Sequence, residues 1–121
     1  MSKQHFEVIV VGAGFAGLYL AHKLTAQGRT IRVVEQGSDV GGTWYWNRYP
    51  GARCDAESLA YSFSFSSELE QTWQWSERYA QQPEILAYAR HVADQFQLRP
   101  LIQFNTQVTS AVWQELPCHW V

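Results

Sequence analysis

Three glycines and a glutamate carry the first chemical signal in this chain of 121 residues. Gly12-Ala13-Gly14-Phe15-Ala16-Gly17 is a GxGxxG, and Glu35 follows Gly17 by 18 residues. In that pattern the first glycine permits a tight turn, the second lets backbone approach a pyrophosphate, and the third lets a helix pack closely on a strand. A helix starting at the motif adds free N–H groups and the positive end of its dipole. The Glu35 carboxylate would accept hydrogen bonds from a ribose diol and repel a 2′-phosphate, so the expected ligand is FAD or NAD rather than NADP.

A second glycine-rich segment follows, Asp39-Val40-Gly41-Gly42-Thr43. A Gly-Gly pair here lets backbone approach another part of an extended cofactor, which FAD needs more than NAD does. The run continues through Trp44-Tyr45-Trp46-Asn47-Arg48-Tyr49-Pro50-Gly51-Ala52-Arg53-Cys54-Asp55. It brings aromatic faces, two guanidiniums and a carboxylate into one loop, and aromatic walls with few polar groups suit a flavin ring. Core packing of the aromatics and solvation of the arginines is the competing reading. For Asp55 one reading is a cap on a short Ala56–Ala60 helix. The other is a charge working beside the cofactor.

GAGFAG, then GGTWYWNRYPGARCDAES, then WSERYAQQPEILAYARHVADQFQLR resemble the class B flavoprotein Baeyer–Villiger monooxygenases of the cyclohexanone and phenylacetone monooxygenase type. The resemblance runs from Phe6 to Val121, and the GGTWYWNRYPGARCD run is its most specific part. It implies an enzyme in which NADPH reduces FAD, reduced flavin captures oxygen, and the flavin peroxide adds to a ketone that rearranges to an ester or lactone. By position, Gly12, Gly14, Gly17 and Glu35 match the FAD pyrophosphate and ribose contacts. Gly42, Thr43, Trp44 and Asp55 fall in the flavin-proximal segment, and Phe15, Ala16, Gln36 and Tyr61 complete the expected cofactor set. Asp55 matches a carboxylate beside flavin and nicotinamide that works with an arginine from a later domain, and is the expected catalytic residue. A second GxGxxG for NADPH and the family's FxGxxxHTxxW signature do not occur, so residues 1–121 are expected to be part of an FAD-binding domain that stops inside a hairpin strand.

Alternatives from other classes stay open. Flavin N- or S-oxygenating monooxygenases share the FAD half, and an inert FAD-binding fragment fits every motif above. Pyridine nucleotide-disulfide reductases need a paired redox cysteine motif that Cys54 and Cys118 do not supply.

The elements that must position these residues are legible from periodicity. Phe6–Val11 is a short apolar β-branched run, expected to be a strand buried on both faces. Phe15–Gln27 repeats apolar residues at helical spacing and stops at Gly28. Thr30–Glu35 reads as a second buried strand, which makes a Rossmann-like βαβ unit with a right-handed crossover. From Gln36 to about Ser67 no period is sustained, and a loop of that length is expected to touch a ligand. Pro83 opens a second helix whose apolar face, Ile85, Ala89, Val92 and Phe96, runs to about Leu98. Leu101–Phe104 and Gln107–Glu115 read as strands, with a turn at Leu116–His119 and a hairpin strand at Trp120-Val121. The fold expected is α/β: an incomplete FAD-binding domain with a long cofactor loop, a second helix and a terminal β-hairpin.

Composition agrees with one globular unit: 46% of residues are hydrophobic and 17% charged. The net charge of -2, with basic residues scattered singly, gives no footprint for nucleic acid or an anionic membrane, and neither partner is expected. Two distant cysteines argue against a zinc site or a disulfide framework, so a reduced, cytoplasmic protein is expected. His5, His22, His91 and His119 show no ligand spacing, and Trp73, Trp75 and Trp113 read as packing residues.

Overall fold

The computed structural model describes residues 3–121. Strand β1 (Val8–Val11), helix α1 (Phe15–Ala26) and strand β2 (Ile31–Val34) form the βαβ unit. β1 and β2 pair in parallel, with Val8 opposite Ile31 and Val11 opposite Val34. After the long loop, helix α4 (Gln82–Gln95) and a 3-10 turn (Arg99–Leu101) lead into β3 (Ile102–Gln103), which pairs in parallel with β2. The sheet order is therefore β1-β2-β3.

One apolar core lies on a single side of this sheet. Val10, Ile31, Val33 and Ile102 meet Leu18 and Ala21 of α1 and Ala89 and Ala93 of α4. Small residues on both helices let them sit close to the strands, and burying a side chain such as Leu18 contributes about 1.5–3 kcal/mol. A second cluster gathers Leu69, Tyr88 and Val92, with Phe15, Phe63, Phe65, Trp73, Trp75 and Phe96 packed around it. Trp73 and Trp75 are thus packing residues.

Several expectations need correction. β1 is not buried on both faces: Ile9 is 51% and Val11 69% exposed, because the helices cover only the other side. The loop after β2 is less irregular than its sequence. It holds helix α2 (Thr43–Trp46), and a further helix, α3 (Ser67–Thr72), is capped by Ser66, whose Oγ accepts the Leu69 N–H at 3.2 Å. These helices have four and six residues, too short for a 3.6-residue period to show. The strand expected at Gln107–Glu115 shrinks to β4 (Trp113–Gln114), paired antiparallel with β5 (His119–Trp120). The hairpin is real, but its residues are largely exposed and no core alternation holds a longer ladder. Among the described residues no helix is long and apolar enough to cross a membrane.

Candidate functional site

The site is built where two glycine turns touch. Gly12 N–H donates to the Val34 carbonyl at 2.8 Å, which sets the first turn at the end of the sheet. α1 starts immediately after it, and its first closing bond runs from Leu18 N–H to the Gly14 carbonyl at 2.9 Å. The preceding N–H groups of the first turn have no intrahelical acceptor. No acidic side chain sits in that turn and no side chain caps it, so the helix end is open to an anion. Gly17 has no alternative, since a Cβ there would lie 2.0 Å from the Gly12 carbonyl oxygen.

The second turn packs on the first. Gly41 N–H donates to the Ala13 carbonyl at 3.0 Å. Gly42 has a φ of +54°, and a Cβ on it would stand 2.8 Å from Gly14 Cα, so a side chain is excluded by both backbone conformation and space. The two expected cofactor segments, far apart in sequence, thus form one surface.

Glu35, directly after β2, is 5% exposed. Its two carboxylate oxygens accept from Ala13 N–H at 2.8 Å and Gly37 N–H at 2.6 Å. Each oxygen keeps a further lone pair, so the carboxylate can hold the glycine turn and still accept from a diol. Gln36 beside it is exposed.

Three expected contacts come together beside the turns. Phe15, at the start of α1, lies 5.2 Å from Tyr61 between ring centroids. Trp44 of α2 meets Tyr61 edge-on at 5.9 Å and donates its indole N–H to the Tyr61 hydroxyl oxygen at 3.1 Å. Trp44 is further fixed by Gln82, whose side-chain amide donates to the Trp44 carbonyl at 2.6 Å. Ala16 and Thr43 are exposed at the starts of their helices, one beside each glycine turn.

Asp55 stands apart from that cluster, on its rim. Its neighbours Cys54 and Ala56 pack into the same cluster as Trp44, Phe15 and Tyr61, while Asp55 itself is exposed. The backbone around it is pinned to the segment before α4: Gln82 N–H to Ala52, Cys54 N–H to Ala80 and Ser58 N–H to Arg78, at 2.8, 3.0 and 2.7 Å. Buried Ser58 adds its hydroxyl, which donates to the Glu77 carbonyl at 2.8 Å. The Ala56–Ala60 helix is not formed. A turn closed by Glu57 replaces it, with Ala60 N–H and Tyr61 N–H both reaching the Glu57 carbonyl, and the capping role for Asp55 goes with the helix. What is left is a carboxylate on a fixed loop with no side-chain partner among the described residues.

Sequence reasoning missed Gln82, Ser58 and an ion network of Asp39 with Arg90 and Arg99. For Gln82 the signal was weak: a polar residue just before Pro83 at a helix start. The ion network joins residues 51 and 60 positions apart and has no local signature.

Known proteins resemble this chain in sequence and in fold. Residues 10–78 match the family model described as NAD(P)-binding Rossmann-like domain. A Baeyer–Villiger monooxygenase of Pseudooceanicola batsensis is 49% identical over 116 residues, 95% of this chain and 21% of that protein. Phenazine N-monooxygenase PhzNO1 of Lysobacter antibioticus is 48% identical over 119 residues, 98% of this chain and 22% of that protein. A steroid monooxygenase solved with NADP superposes with a TM-score of 0.93 at 63% identity, covering 95% of this chain and 22% of its own. The chain therefore spans about a fifth of the length of the relatives it matches. The match begins within β1 and runs through both glycine turns and the Asp55 loop, and on it the chain belongs to the NAD(P)-binding Rossmann-like domain family, with Baeyer–Villiger monooxygenases among its relatives.

Proposed function

We propose that residues 1–121 are the FAD-binding part of an NADPH-dependent flavin monooxygenase that converts ketones and oxygen to esters or lactones. The observation that carries this reading is the packing of Gly42 on Gly14 in front of the open amino terminus of α1. A plain mononucleotide site needs only the first turn; a cofactor that continues past the pyrophosphate toward an aromatic cluster uses both. Glu35 excludes NADP from this site, since a 2′-phosphate would meet its carboxylate, and NADPH is assigned a site mostly outside this chain.

Bound FAD would supply the redox chemistry, taking electrons from NADPH and passing them to oxygen. The residues of this chain bind and orient it. The amino end of α1, through the N–H groups of Phe15, Ala16 and Gly17, holds the pyrophosphate, and Glu35 and Gln36 hold the adenosine end. Thr43, Trp44 and Tyr61 wall the ring end and keep water from it. Asp55, exposed on a pinned loop, presents a negative charge that orients an arginine supplied by a later part of the polypeptide. The balanced reaction is ketone, oxygen, NADPH and a proton to ester, NADP+ and water. A reducing, cytoplasmic setting is assigned from the sequence, whose two cysteines, Cys54 and Cys118, lie far apart and form no paired motif.

A second reading is favoured by one observation: the phenazine N-monooxygenase is as similar to this chain as the Baeyer–Villiger enzyme. This half of the site serves either substrate class. The test is the whole protein, assayed for NADPH oxidation and product by mass spectrometry with a panel of ketones and of aromatic N-heterocycles. Ester or lactone formation is the expected result. N-oxide without ester would move the assignment to the second reading, and an absence of both with FAD bound would overturn the two together.

A further inference from the structure

We propose that Asp39 is a positioning residue for the cofactor: held between Arg90 and Arg99, its carboxylate fixes the second glycine turn against the first. The inference rests on the FAD-binding reading above and deepens it. One oxygen, Oδ2, accepts from Arg90 Nε of α4 at 2.7 Å. The other, Oδ1, accepts from Arg99 Nη1 at 2.8 Å and from the N–H of Val40 at 2.8 Å. Arg99 is itself held by Asp94, Nε to Oδ1 at 2.6 Å, so two carboxylates and two guanidiniums alternate across the end of α4 and the 3-10 turn.

The position of this network gives it a role that an ordinary surface ion pair lacks. Val40, one residue on, is completely buried. Gly41 then donates to Ala13 in the first glycine turn, and Gly42 rests on Gly14. Only two residues, Val40 and Gly41, thus separate the charge from the contact that builds the cofactor surface. α4 grips this segment at two points, by Arg90 on Asp39 and by Gln82 on the Trp44 carbonyl. The turn between those points is a run with two glycines, the residues with the most conformational freedom to lose, and its own backbone bonds, from Gly41 N–H to Ala13 and from Trp44 and Tyr45 N–H to Gly41 and Gly42, form on the path that the two grips set. Asp39 keeps only 20% of its side chain exposed, so its pairs are less screened than the exposed pair Arg78–Glu57. Burial pushes its carboxyl upward, but the bonds from Arg99, Val40 N–H and Arg90 outweigh that and hold it below the usual carboxylate range.

Asp39→Asn removes the charge and one of the two accepting oxygens, while its remaining carbonyl can still accept from Val40 N–H. In the whole protein the FAD dissociation constant is expected to rise about tenfold, the scale of one hydrogen bond to a charged group. The visible circular dichroism of the bound flavin is expected to change. Asp39→Glu should recover at least half of the logarithmic loss, and Arg90→Gln should weaken FAD by itself yet add little in the Asp39→Asn background. Unchanged FAD affinity in Asp39→Asn would overturn the proposal. So would weakened affinity that Asp39→Glu does not recover and that comes with an equal loss in apoprotein melting, the mark of a purely structural residue. Should the wild-type protein bind no FAD at all, the reading of the site fails first, and the two failures are told apart by that control.

Discussion

The two faces of the three-stranded sheet are built on opposite terms. On one, Leu18 and Ala21 of α1 and Ala89 and Ala93 of α4 close over Val10, Val33 and Ile102 with almost no exposed surface. On the other, Ile9 and Val11 stand open, and the β4–β5 hairpin nearby in sequence to β3 exposes Val112, Trp113, Leu116 and Trp120 without covering them. The difference teaches where the cofactor surface gets its rigidity. Both glycine turns, Glu35 and the Asp39 network lie against elements packed on the closed face, so the site is held by the finished half of the molecule. The open face carries no site residue and its apolar patch is of the kind that another surface covers.

Substitutions can break or sharpen that contrast. The largest effect belongs to Gly17→Ala. Its Cβ would collide with backbone at 2.0 Å, separating α1 from the first turn, and no flexible side chain can yield. Loss of soluble whole protein, or of all its flavin, is expected on purification. A yellow, stable Gly17→Ala protein would contradict the packing.

Next comes the chain expressed as these 121 residues alone. With Ile9 and Val11 bare and β1 an open sheet edge, self-association and weak or no FAD binding are expected. Val11→Lys should reduce that association in sedimentation velocity runs. A monomeric, flavin-loaded, cooperatively melting wild-type chain would mean that the open face needs no cover.

Leu18→Ala sets the scale of the closed face. Removal of this side chain, 1% exposed, is expected to cost about 2–5 kcal/mol by denaturant titration of the whole protein. A cost under about 1 kcal/mol would show that the α1 contact is not part of a tight core.

The smallest of these effects is Glu35→Gln. The amide keeps the size and can still accept through one oxygen, but it loses the charge and one of two accepting oxygens that Ala13 and Gly37 use. FAD affinity is expected to weaken by about 1.5–3 kcal/mol. An unchanged titration would remove Glu35 from the site.

How much of this was legible in the sequence follows from range. The βαβ unit, the helix after Pro83 and the first glycine turn are local patterns: apolar runs, a 3.6-residue period, a GxGxxG followed by an acid. Glu35 sits where the spacing put it, and Phe15, Trp44 and Tyr61 meet. What escaped depends on contacts between distant segments. Asp39 reaches Arg99 across 60 positions, and Ser58 reaches the segment before α4 across 19. Neither leaves a mark in a window of ordinary width. α2 escaped because one turn of TWYW reads equally as loop. The supposed helix after Asp55 failed for the opposite reason: local capping chemistry was present, but pinning of Ser58 to Arg78 holds the backbone in a turn. Burial of β1 was misread because an apolar β-branched run says that a strand forms, not that two layers cover it.

The central claim is that the cofactor lies across two glycine turns in mutual contact. Its most direct test is the FAD content of the whole protein carrying Gly42→Ala, measured by absorbance after gel filtration beside the wild type. The added Cβ would push on Gly14 Cα from 2.8 Å and part the two turns while leaving the core on α1 and α4 in place. The expected result is a protein with wild-type far-UV circular dichroism and little or no bound FAD. Stoichiometric FAD held by Gly42→Ala at wild-type affinity would contradict the account and put the cofactor elsewhere.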